Sequence, residues 1–383
     1  MIKNRQEKDA GGIMVKEFAD ANIDSLCRRF LIEGEYKGYE KVSYGHINTT
    51  LKVYYFRGGE IKTYILQRIN TYVFKRPEEI MCNVVGVTEY IRKKIKEIYP
   101  TAKRDVLHYQ HAENGDYFVY DEEGGFWRCY RFIDDSEAVN FTDDLGMIRE
   151  MGKAFGDFQN YLADYPAEKL FIVIPHFHNT VNRYEKLKNA IAEDSEKRAA
   201  EVEGEIKRYF DLEKTATKMY KMQKSGELPL RVTHNDTKSN NVLFDNKTHK
   251  HLAVIDLDTV MPGLVGFDFG DAIRFTANTA AEDEKDLSKV RLDLYKFRAF
   301  TEGFVGSVGK SLTENEKETL SLGAITMTTE CGVRFLTDYL EGDKYFGVHY
   351  EGQNLDRARC QLALAEDMVK NYEEMQKIVK EYL

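Results

Sequence analysis

Residues 230 to 257 constrain this chain more than any other stretch. A polar run, Thr233-His234-Asn235-Asp236-Thr237-Lys238-Ser239-Asn240-Asn241, passes directly into Val242-Leu243-Phe244-Asp245, then a polar turn at 246–250, then Leu252-Ala253-Val254-Ile255-Asp256. Two short apolar runs around a polar turn read as an antiparallel hairpin. With the turn centred between them, residue 242 is expected to face 255 and residue 241 to face 256, which brings Asn241 beside Asp256.

Any one of these polar residues would ordinarily serve a loop or a cap. The combination H-x-D-x-x-x-x-N, closed by an aspartate at the end of the next strand, is more specific. Phosphoryl transfer needs a carboxylate to orient and deprotonate the attacking hydroxyl, and oxygen ligands for the Mg²⁺ that bridges the phosphates. Asp236 is the expected base, and Asn241 and Asp256 are the expected ligands, since amide and carboxylate oxygens suit a hard cation better than zinc. The apolar strands between them supply the rigidity that a metal site requires.

The remaining chain sorts into two regions. Residues 1–17 read as a polar, flexible tail. From 18 to 134 a small α+β unit is expected: a helix over 18–33, a break at Gly34–Gly38, strands at 51–56 and 61–69 around Arg57-Gly58-Gly59-Glu60, a helix from Pro77 to about Tyr99, and strands at 105–110, 116–121 and 126–133. From 135 to 383, helical patterns at 142–163, 181–224, 286–306, 313–340 and 356–381 dominate. With 383 residues and 42% hydrophobic content, the chain can build two cores.

A net charge of −9 repels nucleic acid and anionic membrane surfaces, so a small neutral or cationic substrate is expected. An anionic nucleotide such as ATP would then need a local backbone N–H or basic site and a metal. The five cysteines are scattered with no C-x-x-C pair, which argues against zinc or a disulfide framework. With no basic-then-apolar leader and only short apolar stretches, a cytoplasmic protein with no membrane partner is expected. Nothing here fixes the oligomeric state.

His234-x-Asp236 with Asn241, then Val254-Ile255-Asp256, then Gly266-Phe267-Asp268-Phe269-Gly270-Asp271, resembles the aminoglycoside phosphotransferase and choline kinase superfamily. Within it, the segments 234–245, 254–263 and 268–275 look most like the N-acetylhexosamine 1-kinases. The resemblance implies a two-lobed, protein-kinase-like α+β fold, with a small antiparallel-sheet N-lobe for the nucleotide and a larger, mainly helical C-lobe for catalysis and substrate. It also implies transfer of the ATP γ-phosphate to the anomeric hydroxyl of N-acetylglucosamine or N-acetylgalactosamine, with Asp236 as base and Asp256 as principal metal ligand.

Further assignments follow from the same likeness and from local chemistry. The segment 42–50 is the expected nucleotide loop, with Gly45, Asn48 and Thr49 toward the phosphates and His46 toward the sugar or γ-phosphate. Arg68 stands where protein kinases carry a strand-three lysine, with Glu89 as its possible partner acid. Lys238 is expected at the γ-phosphate, and Asp268 as a brace for the loop, with Asp271 undecided. Phe275 would wall the sugar, and Arg334 and Tyr345 would contact it. The competing view of Arg334 is an ion pair with Glu330 or Asp338, four residues to either side. Two rival functions are a kinase for cationic acceptors, caged by the acidic 281–286 loop, and a silent ATP-binding protein.

Overall fold

The computed structural model describes residues 20–42 and 47–383, with backbone alone at 20 and 21. The tail expected at 1–17 and the loop residues Gly45 and His46 lie outside the described residues. Two compact units divide the chain, Met1–Ser136 and Glu137–Leu383.

The first unit runs α1 (Asp20–Arg28), β1 (Glu35–Lys41), β2 (Thr49–Arg57), β3 (Glu60–Arg68), α2 (Pro77–Ile98), β4 (Phe118–Tyr120) and β5 (Phe126–Arg131). Its strands form an antiparallel sheet in the order β1-β2-β3-β5-β4. Gly58 and Gly59 join β2 to β3 at φ 60° and 86°, the left-handed pair that a tight hairpin requires and glycine supplies without strain. Alternate residues Leu51, Val53, Tyr55, Tyr64, Leu66, Trp127 and Cys129 form one buried face against Ile23, Leu26, Cys27 and Phe30 of α1 and the residues after it. Two expectations fail here. β1 crosses the predicted break at Gly34–Gly38, because an edge strand with mostly exposed or half-exposed side chains shows no apolar alternation. Residues 105–110 form no strand, only an isolated bridge from Tyr109 to Tyr130.

At the boundary lies β6 (Ser136–Ala138). The second unit continues with α3 (Leu145–Tyr161), α4 (Thr180–Glu193), α5 (Glu203–Ala216), α6 (Lys218–Lys224), β7 (Arg231–Thr233), β8 (Val242–Asp245), β9 (His251–Val254), β10 (Met261–Gly263), α7 (Val265–Thr276), α8 (Leu294–Val308), α9 (Glu314–Leu340), α10 (Gln353–Lys370) and α11 (Tyr372–Glu381). The long helix expected over 181–224 is three helices, the first ended by left-handed Asp194. Unexpected α7 is buried almost all round, so it carries no amphipathic period to read.

The core of this unit gathers Phe155 of α3, Phe269 of α7 and Phe297, Phe300 and Phe304 of α8. Helix α7 lies backbone to backbone on α9: a Cβ at Gly270 would stand 2.2 Å from the Gly323 carbonyl oxygen, and one at Gly323 2.0 Å from that of Gly266. Only glycine permits that approach, and it fixes the height at which α7 presents its acids. Among the described residues no helix is long and apolar enough to cross a membrane.

The β8–β9 hairpin forms, but one residue out of the expected register. Val242 faces Val254 and Leu243 faces Ala253, with a bulge before Phe244 and His251. The cause is the turn, where Asp245 Oδ1 accepts from the backbone N–H groups of Lys247 and Thr248 while His249 N–H donates to the Asp245 carbonyl. That asymmetric closure displaces β9. The backbone partner of Asn241 is therefore Ile255, through a 2.9 Å bond from its N–H, and Asp256 follows one residue later.

Candidate active site

β7 pairs with β10 through Thr233 and Met261, and the loop from 234 to 241 leaves from that pair. It is tied down chiefly by α7. The Asp268 carboxylate accepts from the N–H groups of His234 and Asn235, both at 2.8 Å, and from Gln159 Nε2 at 2.6 Å. Thr237 N–H donates to Asp271 at 3.1 Å and its hydroxyl to the Asp268 carbonyl at 2.6 Å. Asn235 holds a left-handed φ of 64°, and its amide nitrogen donates to the carbonyls of Thr233 and Thr259. Asparagine is one of the few non-glycine residues that adopt that conformation readily, and these bonds hold it there.

His234 is fully buried, edge-on to Phe155 and Phe158. Its Nε2 lies 2.9 Å from the Ile255 carbonyl, and its Nδ1 accepts from the Asp236 N–H at 3.2 Å. One nitrogen must donate and the other accept, so the ring is neutral with its proton on Nε2.

Asp236 therefore stands on a fixed backbone. Its carboxylate oxygens lie 2.9 and 3.1 Å from Lys238 Nζ. Burial pushes the Asp236 carboxyl up, but the Lys238 ammonium, with Arg274, brings it below its ordinary value. The same pairing lifts Lys238 despite its own burial. Asp236 is thus an ionised acceptor at neutral pH. Asn241 Nδ2 donates to the Asp236 carbonyl at 2.8 Å, which commits the amide nitrogen and turns the remaining oxygen into the atom able to meet a cation. Asp256, exposed and left-handed at φ 59° and ψ 55°, follows the residue bonded to Asn241. Among the described residues no group of three or more His, Cys, Asp or Glu is arranged to hold a metal. One amide and one carboxylate oxygen instead fit Mg²⁺, which keeps water and phosphate for its other positions.

The residues expected at the acceptor divide. Phe275 is half-buried beneath the Arg274 guanidinium, 4.0 Å from the ring centre, with its own ring 6.0 Å from Lys238 Nζ, the partner of Asp236. Arg334 on α9 sits over Phe346 at 5.1 Å, next to the exposed Tyr345. The expected ion pairs of Arg334 do not form. Glu330 is taken by His178 and Thr180, at 3.0 and 2.5 Å. Asp338 accepts from the N–H groups of Lys344, Tyr345 and Phe346. Among the described residues no hydrogen bond or ion pair reaches the Arg334 guanidinium. Arg183 of α4 is partly satisfied: Nη2 donates to the Phe177 carbonyl, while its buried Nε has no hydrogen-bond partner among the described residues. The acids of the 281–286 loop are engaged: Glu282 by Arg274, Asp283 by Gln353 and Asp286 by Ser288.

In the first unit, Asn48 accepts from the Asn70 N–H at 2.9 Å and Thr49 pairs with Arg68 across β2 and β3. Arg68 is not brought together with Glu89. It shares the strand face of Tyr64 and Leu66, 4.0 Å from Asp121, whereas Glu89 pairs with Arg92 at 3.0 Å. The opposite face carries Gln67, whose Oε1 accepts from Nε and Nη2 of the buried Arg128 at 2.9 and 2.6 Å. Arg128, Arg274, Arg183 and His178 escaped sequence reasoning: the partners of Arg128 and His178, namely Gln67, Asn235 and Glu330, are distant in the chain, while Arg274 and Arg183 bond to near neighbours in pairings that no motif marks out.

Residues 49–299 match the phosphotransferase enzyme family APH. The chain belongs to that family. Its fold is that of a two-lobed kinase, with an antiparallel-sheet N-terminal region and a mostly helical C-terminal region. An aminoglycoside phosphotransferase from Alicyclobacillus acidocaldarius superposes with a TM-score of 0.60 at 8% identity, over 94% of this chain and 96% of its own. A spectinomycin phosphotransferase crystallised with ADP and spectinomycin gives 0.52 at 13%, over 96% and 100%. A choline kinase from Cryptosporidium parvum gives 0.53 at 13%, over 92% and 96%. At such identities the likeness concerns the fold, while membership makes the chain a kinase-like phosphotransferase with a hydroxyl acceptor.

Proposed function

We propose that this phosphotransferase is an ATP- and Mg²⁺-dependent sugar kinase that phosphorylates the anomeric hydroxyl of N-acetylglucosamine or N-acetylgalactosamine. The observation that carries the reading is the bond from Asn241 to the carbonyl of Asp236, beside a lowered Asp236 carboxyl, which ties the base to the proposed metal ligand. Asp236 orients the sugar hydroxyl and takes its proton as the bond to phosphorus forms and the bond to ADP breaks. Such a loose transition state asks for position and charge neutralisation more than for a strong base. Mg²⁺, when bound, supplies that neutralisation on the phosphates; Asn241 and Asp256 are the residues to hold it. Lys238 is assigned to the γ-phosphate, and Gly45, Asn48, Thr49 and Arg68 of the N-terminal unit to ATP.

The choice of a neutral, hydroxyl-rich acceptor rests on the second unit. Phe275 offers an apolar surface near Asp236, Arg334 and Tyr345 offer donors, and His46 is assigned to the sugar as well. A cationic acceptor would meet the like charges of Arg334 and Arg183, and of the acids in the 281–286 loop Glu282 is already paired with Arg274. Phosphorus NMR of the product formed from ATP and N-acetylglucosamine tests the reading. An anomeric phosphate is expected; a primary phosphate, or transfer confined to choline and aminoglycosides in an ADP-release panel, would refute it.

A further inference from the structure

We propose that His178 and Glu330 are a positioning pair for Asp236, gripping the peptide that carries it through the carbonyl of Asn235. The inference rests on Asp236 being the base.

His178 stands just before α4, and Glu330 lies in the middle of α9. Their side chains are 9% and 1% exposed. The ring has Nε2 at 2.9 Å from the Asn235 carbonyl and Nδ1 at 3.0 Å from Glu330 Oε1. Both neighbours are acceptors, and the second oxygen of Glu330 takes the Thr180 hydroxyl proton at 2.5 Å. The geometry therefore asks for a proton on each ring nitrogen. Phe267 of α7 and the adjacent Phe177 pack against the ring at 5.7 and 4.5 Å, leaving rotation little room.

The peptide between Asn235 and Asp236 is thus held at both polar atoms. Its N–H donates to the neutral His234, and its carbonyl accepts from the doubly protonated His178. Two imidazoles in opposite protonation states fix the plane from which the Asp236 side chain departs. Asn235 is among the few residues that adopt the left-handed backbone readily, and the hold at its carbonyl fixes the direction in which the next peptide leaves it. A buried ion pair is a poor source of stability; what this one supplies is a donor of fixed place and charge.

The charges around the ring agree. Burial acts to strip His178 of its extra proton, but Glu330 from α9, the Asn235 carbonyl from the loop and Asp271 from α7 hold it above its ordinary value. Burial likewise pushes Glu330 up, yet His178, with Arg183 from α4 and the Thr180 hydroxyl, brings it below the ordinary glutamate value. A group raised in this way keeps its proton at low pH and loses it as pH rises through the raised value. The grip, and with it turnover, is expected to fade on the alkaline side.

The test uses the full chain and ADP release on N-acetylglucosamine, or on whichever acceptor the wild type phosphorylates. His178→Phe keeps a ring against Phe267 but has no donor, and should lower kcat about 10²-fold with KM for ATP unchanged, the scale expected for a misplaced catalytic group. Glu330→Gln keeps size and removes charge; the alkaline fall in kcat should move to lower pH, and the nitrogen-bound proton signals of the His178 ring should drop from two to one near neutrality. A His178→Phe variant that folds and keeps kcat within about threefold of wild type would overturn the inference. So would a Glu330→Gln pH profile that superimposes on the wild type, which also decides the matter if His178→Phe does not fold. Asp236→Asn separates the two levels: an inactive Asp236→Asn beside a fully active His178→Phe defeats the positioning pair alone, whereas an active Asp236→Asn defeats the base and the pair together.

Discussion

Between Thr233 and Asn241, side chains and backbone are consumed by bonds to α7, to β10 and to each other, while some hundred residues later Arg334 extends over Phe346 with no hydrogen bond or ion pair among the described residues. The two stretches belong to the same helical unit, yet one has most of its polar groups engaged in advance and the other keeps donors in reserve. The difference fits the roles proposed for them. A group proposed to meet a transition state has to be in place beforehand, because reorganising at the moment of reaction wastes its effect. A group proposed to read a substrate does best with its partner still to come.

The widest gap between the two should appear on removing the base. Asp236→Asn keeps shape and the backbone bonds, so calorimetry should show ATP binding retained while kcat falls about 10²–10⁴-fold, the usual contribution of a proton-accepting group. Next in size is the brace. Asp268→Ala leaves the N–H groups of His234 and Asn235 buried without an acceptor, and urea unfolding should register a loss of about 2–6 kcal/mol, since each of the two stranded donors costs about 1–3. Arg334→Met reverses that pattern: stability should change by less than about 0.5 kcal/mol, whereas KM for the sugar should rise about tenfold, equal to about 1.4 kcal/mol. A large stability loss in Arg334→Met would erase the distinction drawn here.

The smallest expected effect lies on the far side of the hairpin. His251 sits between Glu150 at 2.8 Å and Asp157 at 3.2 Å. Burial acts against its proton, but Asp157 and Glu150 raise the ring above its ordinary value, and the His251 bond brings the Glu150 carboxyl down to about 2. The raised histidine contributes stability that is complete below its unfolded value and lost as pH climbs through the folded one. The depressed glutamate contributes above its unfolded value and loses that as pH drops toward about 2. Thermal melts of wild type and His251→Gln should differ most near pH 5–6, by about 1 kcal/mol or less for a partly exposed cluster, and converge toward both extremes.

How far the sequence was legible depended on distance along the chain. Asp236 and Asn241 fall within six residues and are joined to Asp256 by one hairpin, so a spacing argument could propose them together, with Lys238 added by the likeness to protein kinases; the hairpin formed, and the error of register came from the asymmetric turn at Asp245. The strands β2, β3 and β5 were visible through alternation, because one face packs on α1. β1 was not, since an edge strand has no buried face to betray it. Helix α7 escaped for the opposite reason, being buried on every side. Asp268 emerged as a brace only through the family resemblance. Nothing in the order of residues links His178 to Glu330, about 150 positions away, and the failure of Arg334 to pair with its helix neighbours became visible only once both acids were seen in use elsewhere.

The left-handed backbone of Asp256 has a consequence for what could ever replace it. Glutamate would carry the charge but lengthen the arm and, with its bulkier side chain, sit badly at positive φ; asparagine tolerates the backbone but gives up the charge. No single exchange preserves both, so, with Asp256 as the proposed metal ligand, drift at this position is expected to pass through inactive forms, and an asparagine found there in a relative is expected to mark a protein that has given up turnover while keeping its shape.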